Sequence, residues 1–420
     1  MLTIAAIVLL TFLSLLICRK IISKQTVSLT TAEIAAALCF KVGLGIVYGY
    51  VFLHYYNGDD TWQLNNGSID EYNKLVKDPL AFFTDLISFE LYKDEPFNTR
   101  FHHYLADLEF CIICKPLAVF NFISRGNYYI NVVFFNSIVF WGHYWLFSLL
   151  VKEFPNKRRA LLAIIFFFPP VVFWLSGIRA DGLLFFFISL LLLQYSRWLY
   201  RHKKRNLVLS IVALAFIFIL RNAFVLLLVP LLLAWFITVR YQKKPVIVFA
   251  LTYAACLLVF FASALISTKA SLPAMIVSRQ QEYLGLQGNT RFGLDSLQAT
   301  AGSFIRVLPQ AANNTFLRPY IWEAKGPLQV FTALDQLFFW LLVVLAIVQK
   351  EKYRQTTGSS TILQFFVYFS LSLYILVGYT VPFPGAIVRY KIIAELFLLT
   401  AIILNINWPH ERKIIKKVHI

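Results

Sequence analysis

Two adjacent carboxylates follow a glycine in Asn57-Gly58-Asp59-Asp60-Thr61. Like charges this close repel, so one could hold its proton more tightly and serve as a base toward a hydroxyl. The same residues also suit the start of a helix before Trp62, with Asp60 as its cap. A second polar run, Leu175-Ser176-Gly177-Ile178-Arg179-Ala180-Asp181-Gly182, follows the pair Pro169-Pro170. There Arg179 is either an anion ligand oriented by Asp181, or a side chain reaching to head groups while Asp181 opens the next helix. Arg221 lies between the apolar runs 207–220 and 223–239 and needs an anionic partner, either Asp181 or a phosphate. Arg318, beside Pro319, and Arg389 and Lys391, in the turn 382–391, are cations suited to a phosphate or to head groups. His102 and His103 are weak metal candidates, because neighbours on a helix point apart. The set requires no cofactor and leaves room for a divalent metal.

The elements that must carry these residues are membrane helices. Of 420 residues 59% are hydrophobic and only 14% charged, against roughly 25% charged in a soluble domain. Mean hydropathy is +0.68. Such a chain cannot hide its apolar surface in a soluble fold, nor stay disordered. Apolar runs near the roughly 20 residues a bilayer requires predict about eleven spans, at 1–18, 33–53, 129–151, 160–177, 182–200, 207–220, 223–239, 246–267, 328–349, 360–381 and 391–407. The prolines at 169 and 170 predict a kink in the fourth. The stretch 105–123 holds Asp107, Glu109 and Lys115 and reads as interfacial rather than spanning. The run 1–18 lacks a basic leading segment and is followed by Arg19 and Lys20, so it reads as a retained span rather than a signal peptide.

Sidedness follows from charge. The net charge of +18 is gathered in short runs between apolar stretches, and six of these hold 22 of the 39 Lys and Arg residues. With eleven spans all six fall on one side, the cytoplasmic one, which puts the N-terminus outside and the C-terminus inside. This placement argues for a bilayer and against a nucleic-acid partner. Residues 1–420 read as a single integral membrane domain, all-α and polytopic, with outer loops at 57–128 and 268–327 that carry interfacial helices. The first loop holds eleven of the 21 acidic residues. The 14 residues of 207–220 rise only about 21 Å, less than a hydrocarbon core of about 30 Å. Arg221 therefore belongs below the outer surface, at the tip of a hairpin. Cys111 and Cys114 form a lone CxxC pair, read as packing rather than redox chemistry. Asn66-Gly67-Ser68 and Asn313-Asn314-Thr315 match a glycosylation sequon.

Carboxylates after an early span, followed by arginines at later outer helix ends, suit a phosphate-bearing lipid substrate and a hydroxyl acceptor. In this layout the sequence resembles the GT-C superfamily of polyprenyl-phosphate-sugar-dependent glycosyltransferases. The matching features are Asp59-Asp60 after 33–53 and the large loop 57–128, and the likeness covers about 33–239. Many relatives have Asp-Glu where this chain has Asp-Asp, and the first span is additional. The segment Ser176–Gly182 and the ending Arg389-Tyr390-Lys391 also look like bacterial membrane proteins associated with surface polysaccharides. The resemblance implies a GT-C-like fold in a bacterial cytoplasmic membrane, acting at the outer, periplasmic or luminal face. It implies inverting sugar transfer from a polyprenyl-phosphate donor to a glycan or lipid-linked acceptor, with Asp59 as base and Asp60 as its neighbour. Arg179, Asp181, Arg221, Arg318, Arg389 and Lys391 would serve the substrate. A polysaccharide polymerase acting on polyprenyl-pyrophosphate-linked units, or a lipid or solute transporter, would share much of this layout. Against a transporter, no internal repeat is evident, and Lys41 and Asp335 are the main ionisable residues set deep in spans.

Overall fold

Helix starts and stops lie where the sequence supplies caps and breakers. The Thr30 hydroxyl accepts from the Glu33 N–H at 3.1 Å, and the Glu33 carboxylate accepts from the Thr30 N–H at 2.8 Å. This reciprocal pair fixes the start of the second helix. The computed structural model describes residues 2–85, 97–266, 271–288, 290–324, 326–350 and 357–407. Its helices are α1 (Leu2–Ile22), α2 (Thr31–Tyr56), α3 (Asp59–Lys77), α4 (Pro79–Thr84), α5 (Phe97–Ser124), α6 (Tyr128–Glu153), α7 (Arg158–Phe167), α8 (Pro169–Trp174) and α9 (Ala180–Arg201). They continue as α10 (Lys204–Leu220), α11 (Asn222–Tyr241), α12 (Pro245–Ile266), α13 (Leu272–Gly285), α14 (Ala301–Ala312), α15 (Pro327–Val348), α16 (Thr357–Thr380) and α17 (Pro384–Leu404). No strand occurs among the described residues; one isolated bridge joins Lys350 and Ile406.

Eight of these helices, α1, α2, α6, α9, α11, α12, α15 and α16, are long and apolar enough to cross a bilayer. The protein is thus a polytopic, all-helical membrane protein. The other three expected spans are also helical. The run 160–177 breaks into α7 and α8 at Phe168, where Pro169 and Pro170 remove backbone donors. The run 207–220 forms α10, of 17 residues. Residues 391–404 of the run 391–407 lie in α17, which starts earlier, ends at Leu404 and carries Arg389, Lys391 and Glu395. The interfacial stretch 105–123 lies within α5, which is not among the eight. The stretch 86–96 and the basic residues Lys352, Arg354, Arg412, Lys413, Lys416 and Lys417 lie outside the described residues.

The chain divides into two compact units. The first comprises 1–152 and 165–225, the second 153–164 and 226–420. In the first, α3 packs along α5, α9 along α10, and α2 against α1, α3 and α8. The inner face of α3 is polar and is satisfied by asparagines. Asn121 donates to the Ser68 carbonyl and hydroxyl, and Asn131 donates to Asn65 and Asn121, all at 2.8–3.0 Å. Buried amides of this kind fix register, because any slip would leave them unpaired. In the two sequons Ser68 and Thr315 are fully buried within helical turns, while Asn66 is exposed. In the second unit α16 packs with α12, α13, α14 and α17, and α15 with α17. Leu297, Phe304, Val307, Ala311 and Tyr379 form a buried cluster there.

One close approach positions the start of α3. A Cβ on Gly49 would lie 2.1 Å from the Tyr128 ring. That ring stacks on Trp62 at 4.3 Å, and its hydroxyl is bonded to Thr61 at 2.7 Å. Trp62 in turn donates to the Gly49 carbonyl at 2.9 Å. Gly49→Ala must displace Tyr128, and overpacking of this kind typically costs about 1–3 kcal/mol. A lowered thermal midpoint in detergent, without loss of membrane insertion, is the expected result.

Candidate functional site

The end of α2 is a left-handed turn. Asn57 (φ 53°), Gly58 (φ 100°) and Asp59 (φ 40°) all have positive φ. Asn and Asp enter this region more readily than other side chains, and Gly58 enters it without a Cβ clash. The Gly58 N–H donates to the Phe52 carbonyl at 2.8 Å, closing the helix. The chain then turns directly into α3, which places Asp59 and Asp60 in its first turn. The positive end of the helix dipole favours carboxylates there. The helix-start reading therefore holds in structural terms, with Gly58 rather than Asp60 at the cap position.

Arg179 meets both carboxylates. Its Nη1 donates to Asp59 Oδ2 at 2.7 Å and its Nη2 donates to Asp60 Oδ2. Nη1 also donates to the Tyr48 hydroxyl at 3.2 Å. The arginine side chain is 4% exposed, while Asp59 is 33% and Asp60 56% exposed. The cation lies beneath and the carboxylates face outward. The repulsion expected between Asp59 and Asp60 is thus offset by one guanidinium bonded to each. Burial opposes the charge on Arg179, but Tyr48, Asp181, Asp60 and Asp59 outweigh it and raise its pKa. Asp181 is buried in the first turn of α9 and contributes its field.

The loop that carries Arg179 is held by residues inside membrane helices. Lys41 donates from α2 to the Leu175 carbonyl at 3.1 Å and to the Ser176 hydroxyl at 3.3 Å. A cation at the end of α8 satisfies carbonyls that the helix leaves open. Asn136 of α6 donates to the Ser176 carbonyl at 2.9 Å. Gly177 lies against Tyr48, where a Cβ would come within 2.4 Å of the ring. The lone lysine of α2, conspicuous in an apolar run, thus belongs to the frame of this site. Tyr48 and Asn136 carried no such signal, since a tyrosine or asparagine in a span has many uses.

The remaining candidates find partners of their own. Arg221, the residue between α10 and α11, donates from Nη1 to both Glu109 oxygens at 3.0 Å. Glu109 of α5, rather than Asp181, is its carboxylate. Both side chains are about a third exposed or less. A double-mutant cycle on Arg221 and Glu109 is expected to return a coupling of about 1 kcal/mol. A cycle with no coupling would leave the phosphate as the reason for Arg221.

Arg318 is bonded to Glu323 at 2.9 Å and lies over Phe292. Arg389 donates to the Tyr390 hydroxyl at 3.1 Å. Lys391 does not stand at an outer surface: it is 2% exposed. It donates to the Thr315 carbonyl at 3.0 Å and the Gln336 side chain at 2.9 Å, and lies 3.6 Å from Glu395. One helical turn separates Lys391 from Glu395, so both face the same interior. The cations expected around one cleft thus divide between the units, Arg179 and Arg221 in the first, Arg318, Arg389 and Lys391 in the second.

Among the described residues no group of three or more His, Cys, Asp or Glu is arranged to hold a metal ion. His103 lies in α5, and of His102 only the backbone is described. Cys111 and Cys114 are free thiols one turn apart on α5. Cys114 donates to the Leu64 carbonyl at 3.2 Å. Burial raises the pKa of both thiols, the opposite of what a reactive thiolate needs. No protein-family model matches the chain, and no curated protein or solved structure matches it.

Proposed function

We propose that the protein is a membrane glycosyltransferase that moves a sugar from a polyprenyl-phosphate donor to a hydroxyl acceptor. The carrying observation is the Arg179 clamp on Asp59 and Asp60, at the end of a helix long and apolar enough to span. A lipid-linked donor would present its reacting carbon at that depth. In this reading Asp59 takes the acceptor's hydroxyl proton as the acceptor oxygen bonds to the anomeric carbon from the face opposite the phosphate. The bond from that carbon to the phosphate oxygen breaks, and its electron pair leaves with the polyprenyl phosphate. Asp60, the more exposed carboxylate, orients the acceptor. Arg179 fixes both carboxylates and places positive charge where the departing phosphate gains negative charge. The site would face the outer side of a bacterial cytoplasmic membrane, with a glycan or lipid-linked acceptor.

A second reading rests on a different observation. Lys391, Glu395 and Asp335 are buried together on α15 and α17. Ionisable residues inside membrane bundles commonly mark ion or solute paths, so a transporter is the alternative. Membranes containing the protein and supplied with polyprenyl-phosphate-linked sugar separate these readings. Single-sugar addition to an acceptor supports the transferase. Polymer ladders would indicate a polymerase. Absence of transfer, with glycan export lost when the protein is removed, would indicate the transporter.

A further inference from the structure

A cavity of about 770 Å³ lies in the first unit between α1 and the wall formed by α6 and α9. Leu13 and Ile17 line one side, Phe134 and Trp141 the other. The Ser14 and Ser137 hydroxyls are hydrogen-bonded at 2.8 Å and tie α1 to α6. Along α1 the lining runs from Leu10 past the helix end to Gln25, and along α6 from Phe134 to Ser148. At about 1.5 Å per residue the slot is roughly 20 Å long, deeper than the roughly 15 Å of hydrocarbon in one leaflet.

One end of this apolar slot is cationic. Arg197 of α9 lines it, is half-buried, and has no carboxylate partner among the described residues. Its ionisable neighbours are Arg201 and Tyr144. Tyr144 donates to the Val27 carbonyl at 2.7 Å, holding the segment after α1 beside the same end. Arg19 and Lys20 are exposed on the last turn of α1. A half-buried arginine that faces an apolar chamber without a carboxylate calls for an anion. An apolar slot of this length calls for a hydrocarbon chain. One molecule supplies both.

We propose that this cavity is a binding site for an anionic phospholipid, with the phosphate at Arg197 and one acyl chain in the slot between α1 and α6. The site is separate from the Asp59–Asp60–Arg179 cluster and does not depend on the activity proposed for it. Both the cation and the slot are needed. Phosphate alone would gain the charge but not the apolar contact, and a zwitterionic lipid would gain the contact with less charge attraction.

The test uses the full-length protein in phosphatidylcholine nanodiscs, with or without palmitoyl-oleoyl phosphatidylglycerol. Phosphatidylglycerol is expected to raise the thermal midpoint and to be retained through detergent exchange. Arg197→Gln should weaken that retention roughly fivefold, the loss of one basic contact near a membrane surface. Leu13→Trp, which fills the slot, should abolish it. Inorganic phosphate should give no rise. Equal retention by Arg197→Gln and the parent would overturn the proposal, and so would a rise with inorganic phosphate matching that with the lipid. Should either variant fail to fold, a photoactivatable phosphatidylglycerol on the unmodified protein decides. Crosslinks within 10–25 and 134–148 support the site, and crosslinks only elsewhere refute it.

Discussion

Arg179→Gln is expected to cost the protein both stability and activity. The guanidinium is almost fully buried and is bonded to Asp59, Asp60 and Tyr48. Without it the two adjacent carboxylates lose the guanidinium that offsets their repulsion. Breaking a buried ion pair by removing one partner costs about 3–5 kcal/mol. Here the carboxylates are partly exposed and solvent screens them, so roughly 2–3 kcal/mol is expected. Arg179→Lys should recover little, because a point charge cannot donate to both carboxylates in a fork. Asp60→Asn added to Arg179→Gln should restore part of the loss by removing a repulsion. The measurements are the thermal midpoint in detergent and sugar transfer in membranes. A parental midpoint and parental transfer in Arg179→Gln would remove the clamp from the account altogether.

Asp59→Asn should lower transfer by about 10²–10⁴-fold, the usual loss when a general base is removed. Asparagine is the informative replacement. It tolerates the positive φ at this position, keeps a carbonyl oxygen toward Arg179, and lacks the basic oxygen. Insertion and protein level, read by blot, should therefore stay near the parent. Asp181→Asn is the control, since Asp181 is buried at the start of α9. Full transfer by Asp59→Asn together with a dead Asp181→Asn would reassign the base. If neither substitution changes glycan transfer or export, the carboxylates have no catalytic role and the transporter reading takes over.

Membrane class and the proline break were legible in the sequence because each is a local property. Apolar length sets the spans, and Pro169-Pro170 split the fourth apolar run. Charge within 105–123 kept it out of the spanning set. The partners of the charges were decided only by the tertiary structure. Arg179 has an acidic neighbour two residues away in Asp181, yet its hydrogen bonds go to carboxylates 120 and 119 residues earlier. Arg221 likewise reaches Glu109, 112 residues earlier. Lys391, in a turn that reads as an outer surface, faces inward because its place on α17 aligns it with Glu395, Gln336 and Thr315. Spacing along a chain says which face of a helix a side chain occupies. What that face meets depends on how helices far apart in sequence pack together, and an ion pair forms only where packing brings both charges within hydrogen-bond reach.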